Sequence, residues 1–273
     1  MTFIIFVNKT DAGILDNLKR FFASLLMIGV FASVLFSEKG FVFAGPPLSG
    51  DWVVTGTESY YDTVVVLNGN LIVEDGGNLT FRKVTLKMNC AYNGQYNITV
   101  NTGGRFYVLE GSIITSVDST KRYSFVVWHD STFRMSDSEL HQCGWDSPDW
   151  KTHGLNTLSD DAVVENSLIS HNYNGMRVQS GGLVIRNNNI TANDGCGIAS
   201  DSNPTICNNT ITSNLWVGIG AFNGSPVIRD NFIAENGWAG IFCGSSNDVV
   251  IENNWISNNW YGISCESSNP VIR

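Results

Sequence analysis

Charged residues are scarce in this chain of 273 residues, and proline is scarcer still. Only 15% of the residues are charged and 6 are proline, whereas 27 are glycine, so the composition excludes a collagen-like chain and a disordered acidic tail. No lysine follows Lys151 and the net charge is −9, so the basic surface that a nucleic-acid partner requires is missing. With 43% hydrophobic residues, the chain can bury a large core.

A hydrophobic run long enough to cross a bilayer is also lacking. The longest apolar stretch, residues 21–36, has 16 residues, fewer than the ~20 that a spanning helix needs, and two basic residues precede it. We therefore expect residues 1–44 to be a signal peptide, with a hydrophobic helix and cleavage after Ala44, or an uncleaved membrane anchor. Either alternative exports residues 45–273. This predicts an extracellular or cell-surface protein that contacts the membrane only through residues 21–36.

Asparagine, unlike charged residues, is abundant in this chain. The chain has 30 asparagines, and 20 of them lie between Asn166 and Asn269. Asparagine tolerates the left-handed backbone conformation and hydrogen-bonds its own main chain, so this enrichment indicates many tight turns rather than long helices.

An internal repeat of 21 to 23 residues organises this part of the chain. Each copy has three short apolar stretches separated by Asn and Gly, which predicts three strands and three turns. The unit lacks the helix of ankyrin and tetratricopeptide repeats and the leucine framework of leucine-rich repeats. We therefore expect a parallel β-solenoid in which equal positions stack as ladders. The copies are residues 163–176, 184–198, 205–219, 227–241 and 250–263.

The repeat, with segments such as VIRNNNITANDGCGI, resembles the right-handed parallel β-helix proteins of the pectin-lyase-like superfamily. Within it, the short repeats are similar to those of NosD-like and of carbohydrate-binding and sugar-hydrolysis domains, as in exported archaeal β-helix proteins. The resemblance covers residues 50–273. It implies an all-β, right-handed, single-stranded parallel β-helix with 21–30 residues per coil after the N-terminal hydrophobic helix. Residues 271–273 begin a sixth copy, so we expect the domain at 45–273 to be truncated at its C-terminal end.

Two asparagine ladders are expected to face inward at the turns. A stacked amide can donate a hydrogen bond to one neighbouring coil and accept one from the other, which predicts a structural role. The first ladder contains Asn188, Asn209, Asn231 and Asn254, and the second contains Asn193, Asn214, Asn236 and Asn259.

Aromatic residues also recur at equivalent places. Four lie two residues before a repeat glycine, and two more occupy adjacent coils at another place that we expect to face outward. Outward-facing rings can stack against sugar rings, and the alternative is that they only cover a turn of the solenoid. The carbohydrate-binding candidates are Tyr173, Trp216, Trp238 and Trp260, together with Phe232 and Trp255.

Most catalytic motifs of the enzymes that this pattern resembles are missing. The β-helix polygalacturonases carry Asn-Thr-Asp, Asp-Asp, Gly-His-Gly and Arg-Ile-Lys on consecutive coils, and only the second has a counterpart, at Asp160 and Asp161. Because glycosidic hydrolysis needs two carboxyl groups, these residues and the nearby His153 are the weak catalytic candidates. Their alternative role is a polar turn. No Cys/His spacing indicates a metal, and no cofactor is expected, except Ca²⁺ if the protein is a lyase.

The sequence therefore favours an exported cell-surface β-helix protein that binds polysaccharide or cell-envelope components without catalysis. The alternatives are a polysaccharide lyase or glycoside hydrolase of this fold, and a structural stalk or adhesin. Sequons for N-glycosylation in the exported part lie at Asn78, Asn97, Asn189, Asn208 and Asn223, and the glycosylation candidates are Asn78, Asn97, Asn189 and Asn223.

Overall fold

β-Strands form nearly all of the regular structure in the computed structural model, which describes residues 34–37, 40–43 and 46–273. Val34–Ser37 (β1) and Gly40–Phe43 (β2) pair as an antiparallel ribbon. The hydrophobic helix expected over residues 21–36 lies mostly outside the described residues. At residues 34–36 that expectation is wrong, because these residues are paired as a strand. Ala44 also lies outside the described residues.

From residue 46 onward the described chain has short strands and one 3₁₀ helix, Trp150–Thr152. In chain order the strands are Trp52–Val54 (β3), Thr57–Leu67 (β4), Leu71–Val73 (β5), Asn78–Met88 (β6), Asn97–Val100 (β7), Arg105–Leu109 (β8), Ile113–Ser116 (β9), Ser124–Val127 (β10), Thr132–Ser136 (β11), Glu139–His141 (β12), Leu155–Thr157 (β13), Asp161–Glu165 (β14), Leu168–Ser170 (β15), Met176–Val178 (β16), Val184–Arg186 (β17), Asn189–Thr191 (β18), Ile198–Ser200 (β19), Thr205–Cys207 (β20), Thr210–Thr212 (β21), Val217–Ala221 (β22), Val227–Arg229 (β23), Phe232–Ala234 (β24), Ala239–Gly244 (β25), Asn247–Glu252 (β26), Trp255–Ser257 (β27), Tyr261–Glu266 (β28) and Asn269–Ile272 (β29).

Two parallel sheets run along the solenoid. Sheet I contains ten strands, one from each coil, in the order β28-β25-β22-β19-β16-β13-β10-β7-β5-β3. Sheet II contains seventeen strands, because most coils contribute two short strands to it, and the long strand β6 pairs with both β8 and β9. Each strand pairs in parallel with its counterpart on the next coil, which confirms the predicted all-β parallel β-helix.

Ladders of identical side chains fill the core of the regular coils. Ile206, Ile211 and Ile219 come from the three strands of one coil, are fully buried, and each pairs in register with an isoleucine of the next coil. Side chains alternate between the two sides of a strand, so these positions repeat on the inner side of every coil. Earlier coils use aromatic rings instead. The ring of Phe106 has its centroid 5.1 Å from that of Phe81 and 6.1 Å from that of Phe133.

The asparagines occupy two kinds of turn position. The residue before each first-ladder asparagine has a left-handed backbone, with φ of 56° at Asn187 and 55° at Asn208. Asparagine is among the residues that adopt this conformation most easily. The corresponding residue of the second turn is also left-handed, but its type varies: it is Ala192 (φ 54°), Ser213 (φ 56°), Glu235 (φ 59°) or Asn258 (φ 55°). Both turns therefore contain a left-handed residue, which need not be asparagine. The ladder position that follows it is asparagine at both turns, because its inward amide forms the ladder.

Asn209 illustrates the bonding of a ladder amide. Its Nδ2 donates to the carbonyl oxygens of Ile185 (2.9 Å) and Cys207 (3.0 Å) and to Oδ1 of Asn231 (3.0 Å). Its own Oδ1 accepts from the backbone N and the Nδ2 of Asn188, at 2.9 and 3.0 Å. Each amide thus pairs backbone groups of two coils that would otherwise be buried without partners.

The six cysteines are free thiols. Cys243 and Cys265 occupy paired positions on β25 and β28, and a hydrogen bond joins their thiol groups. Burial and the neighbouring thiol raise the pKa of Cys243 to about 12, and burial raises the pKa of Cys196 to about 12. Cys265 is the exposed member of the set.

Candidate functional site

An aromatic cluster covers the outer side of sheet I in its later coils. Trp216 and Trp238 lie on adjacent coils, with ring centroids 5.7 Å apart and ring planes at 11°. Phe222 stacks on Trp216 with centroids 6.0 Å apart, and Phe242 contacts the rings of Trp238 (5.1 Å) and Phe222 (5.6 Å). Tyr261 meets Trp238 edge-on at 6.3 Å. We call these five residues the aromatic cluster.

Small residues on the strands beneath make room for these rings. Gly220 and Ala199 are paired, and Gly220 is paired in turn with Phe242. A Cβ at Gly220 would lie 2.5 Å from the ring of Phe222, so the ring rests directly on the glycine. The cluster belongs to an apolar layer outside the solenoid core, and the buried residues of that layer include Cys196, Val217 and Phe242.

The cluster is open to solvent along one border. Trp216 is 45% exposed and Tyr261 is 49% exposed, while Phe242 is buried. Trp260 is 78% exposed, and among the described residues the ring of Trp238 contacts Tyr261 on the next coil rather than Trp260. The exposed indole of Trp260 therefore stands beside the cluster, and no ring in the described part of the chain contacts it.

Polar groups on the outer side of sheet I adjoin the aromatic cluster on the N-terminal side. Arg177 forms an ion pair with Asp201, and its guanidinium carbon lies 6.0 Å from the ring centroid of Phe222. Asn156, which lies on the preceding coil, is paired with Arg177 and is fully buried. In the described part of the chain, neither Oδ1 nor Nδ2 of Asn156 has a hydrogen-bond partner, and Nε of Arg177 and Oε1 of Gln179 also lack one.

A loop over residues 143–154 lies against the strands next to Asn156. The ammonium group of Lys151 is 5.2 Å from the ring centroid of Trp128 and 5.5 Å from that of Trp150. This loop contains His153, whose Nε2 lies 2.7 Å from the carbonyl oxygen of Ser147. The cation–π contact of Lys151 with Trp128 thus joins the loop to the end of β10, whereas the other two contacts lie within the loop.

Tyr173 belongs to this loop region rather than to the aromatic cluster. Its ring centroid is 5.0 Å from that of His153, and its hydroxyl donates to Oδ1 of Asp146 at 3.0 Å. Burial and the neighbouring Asp146 carboxylate raise the pKa of Tyr173. Tyr173 therefore occupies an equivalent place in the repeat but has different neighbours.

Phe232 and Trp255 lie on the other sheet. They are paired residues of β24 and β27 in sheet II, and their side chains are 43% and 69% exposed. The six aromatic candidates from the sequence are thus divided among three places: the border of the aromatic cluster, the loop at residues 143–154 and the outer side of sheet II.

The weak catalytic candidates have separate hydrogen-bond partners. Asp160 accepts a hydrogen bond from the backbone N of Gly182 at 3.0 Å, and Asp161 accepts one from the hydroxyl of Thr132 at 2.8 Å. Within the described residues, no hydrogen bond or ion pair joins either carboxylate to His153. Both aspartates connect neighbouring coils at the start of β14, which is the polar-turn arrangement.

The sequons differ in accessibility. Asn189 and Asn223 are exposed, whereas Asn78 and Asn97 are only partly so. Oδ1 of Asn97 accepts a hydrogen bond from the hydroxyl of Ser124 at 2.6 Å, which engages the amide that a glycan would modify.

The described residues contain neither a metal-binding group nor a membrane-spanning helix. No group of three or more His, Cys, Asp or Glu side chains in that part is placed to hold a metal ion. None of its helices has the length and apolar character needed to cross a membrane.

Comparison with known proteins gave a match at the level of the family. A family model described as a right-handed beta helix region matches residues 69–226 and 123–273. No curated protein and no solved structure matches the chain.

Proposed function

Because the chain belongs to the right-handed β-helix family, whose coils present long repetitive outer surfaces, we propose that it binds polysaccharide on the outer side of sheet I. The proposed binding surface consists of the aromatic cluster, Trp260 and Arg177. In this proposal the protein holds the glycan without cleaving its glycosidic bonds.

The aromatic cluster is the observation that carries the proposal. Exposed apolar surface bordered by polar groups is typical of a ligand-binding site. The rings of Trp216 and Trp238 are held by their neighbours, so little side-chain entropy is lost when a ligand contacts them. A sugar ring fits such a surface, because its C–H groups stack on aromatic rings while its hydroxyl groups pair with polar side chains.

Polar groups beside the cluster support the same ligand class. Sugar hydroxyls accept hydrogen bonds, and the guanidinium of Arg177, which pairs with Asp201 and lies beside the ring of Phe222, carries N–H donors. The net charge of −9 favours a neutral glycan over a polyanion.

The location of this activity forms part of the proposal. We expect an extracellular polysaccharide or a cell-envelope glycan as the partner, with the chain secreted or anchored through residues 21–36. The exposed residues Asn189 and Asn223 are the expected acceptors if the protein is N-glycosylated.

Removing the rings is expected to weaken glycan binding. The variant with Trp216→Ala, Trp238→Ala and Trp260→Ala should raise the dissociation constant at least ~10-fold, because each lost ring contact costs on the order of 1 kcal/mol. The measurement is affinity electrophoresis through gels that contain glucans, mannans, xylans or uronate polymers.

The matched control for this experiment carries Phe232→Ala and Trp255→Ala, which removes two exposed rings from sheet II. Its retardation should remain within ~2-fold of that of the unmodified protein. If the triple variant is retarded as strongly as the unmodified protein, the rings only cover the solenoid and the proposal is wrong. Assays for reducing ends and for unsaturated products on the same polymers should detect no turnover.

A further inference from the structure

A second constellation of reactive groups lies on the outer side of sheet II. Glu139 and His141 are two residues apart on β12, so their side chains project from the same side of the strand. Ser170 is the residue of the next coil that pairs directly with His141. These three side chains therefore stand next to one another, although 31 positions separate Glu139 from Ser170 in the sequence.

Hydrogen bonds connect the three groups in a line. Nε2 of His141 lies 2.9 Å from Oε2 of Glu139, and Nδ1 of His141 lies 3.0 Å from Oγ of Ser170. Nδ1 of His171, the next residue, also lies 3.0 Å from Oγ of Ser170. The hydroxyl is thus held between two imidazole nitrogens.

For a neutral His141 the chemistry of the partners sets the direction of each bond, and Nδ1 also lies 3.3 Å from the carbonyl oxygen of Ser170. A carboxylate only accepts hydrogen bonds, so Nε2 of His141 carries the hydrogen of its bond to Glu139. Nδ1 of a neutral His141 then bears a lone pair and accepts the hydrogen of the Ser170 hydroxyl. Because that hydroxyl has one hydrogen, the contact with His171 is a bond that His171 donates. The resulting order of carboxylate, imidazole and hydroxyl is that of an activated serine.

We propose that Ser170 is the nucleophile of an acyl-ester hydrolase site, with His141 as its general base and Glu139 as the residue that positions and stabilises the imidazole. The expected substrate class is an ester of a small acyl group, such as acetate, on an alcohol. This proposal does not rest on glycan binding by sheet I, since the two surfaces belong to different sheets.

The reaction follows the usual two steps of acyl transfer. Oγ of Ser170 attacks the carbonyl carbon of the ester, and its proton passes to Nδ1 of His141. The bond between the acyl carbon and the alcohol oxygen breaks, and the alcohol leaves with that proton. Water then attacks the acyl-serine, gives a proton to His141, and releases the carboxylic acid while Ser170 recovers its proton.

The surroundings position the two histidines. The hydroxyl of Tyr123 donates to the carbonyl oxygen of His141 at 2.9 Å, and Nη1 of Arg122 donates to the carbonyl oxygen of His171 at 3.0 Å. Ser170 itself is 3% exposed, whereas His171 is exposed. We expect rotation of the exposed His171 side chain to uncover Oγ for the substrate.

A fluorophosphonate probe tests the proposal on the full 273-residue chain. The probe reacts with activated serines, and peptide mass spectrometry identifies the labelled residue. We expect labelling at Ser170 and none at Ser257, which occupies the equivalent place on β27 and is less buried but has Ala234 as its paired neighbour. Replacement of the base, His141→Gln, should lower the labelling rate on the order of 100-fold.

Turnover of 4-nitrophenyl acetate distinguishes a role of Glu139 in positioning the imidazole from a role in folding. Glu139→Gln should lower kcat on the order of 100-fold with KM nearly unchanged, whereas Ser257→Ala should leave both constants as they are. Absence of label at Ser170 in the folded protein, equal labelling at Ser257, or a labelling rate that His141→Gln leaves unchanged would overturn the proposal. Circular dichroism checks that each variant folds. Labelling of the unmodified chain tests the proposal even if a variant does not fold.

Discussion

Replacing Asn209 with alanine is expected to lower the free energy of unfolding by about 4 kcal/mol. The amide makes three donated and two accepted hydrogen bonds in a buried position. Alanine leaves the carbonyl oxygens of Ile185 and Cys207 and the amide of Asn188 without those partners, and each unpaired buried group costs roughly 1–3 kcal/mol. Urea unfolding followed by circular dichroism measures the change.

Asn189→Ala is the matched control, because Asn189 is exposed and neighbours the first ladder in the sequence. Its unfolding free energy should stay within ~0.5 kcal/mol of that of the unmodified protein. Equal stability of the two variants would show that the ladder amides do not stabilise the solenoid.

Replacing Phe106 with alanine is expected to cost about 4 kcal/mol, because the fully buried ring joins three other rings of the early coils. Phe81, Phe125 and Phe133 would line the cavity, and truncation of a buried phenylalanine to alanine costs roughly 3–5 kcal/mol. The urea midpoint should fall accordingly, with both circular dichroism and tryptophan fluorescence reporting the transition.

Tyr107→Ala serves as the control for this substitution, since Tyr107 follows Phe106 on the same strand and points away from the core. It should cost less than half as much as Phe106→Ala. If the two substitutions cost the same, the aromatic rings of the early coils would not form the stabilising core that the structure places there.

Much of the fold could be predicted from the sequence because its coils are nearly equal in length. Isoleucines at steps of 21 to 23 residues revealed the strands, and Ile206, Ile211 and Ile219 occupy the expected ladder positions. The strand at residues 34–36 could not be predicted, since a short apolar stretch is compatible with either a helix or a strand.

The sequence revealed less of the aromatic cluster. Trp216 and Trp238 were found because they recur at one place of the repeat. Phe222 and Phe242 were missed because each occurs once at its place, and Phe242 alternates with core residues in a strand that is buried on both sides. The room that Gly220 leaves for a ring depends on side-chain direction, which the repeat does not encode.

The polar groups around Ser170 and Asn156 were missed for a related reason. Both lie near the coil of residues 139–168, whose spacing departs from that of the later coils, so the pairing of His141 with Ser170 could not be assigned by counting. The only signal at Asn156 was a polar residue at an outward strand position. Only the structure shows that Asn156 is buried and that its amide has no hydrogen-bond partner among the described residues.

Hydroxyl-radical footprinting tests most directly whether sheet I is the glycan-binding surface. The full chain is oxidised with and without an oligosaccharide of the polymer that retards it most in affinity electrophoresis. We expect protection of Trp216, Trp260 and Tyr261, with Trp255 on sheet II equally oxidised in both samples. Protection confined to Trp255, or the absence of protection at all four residues, would contradict the proposed function.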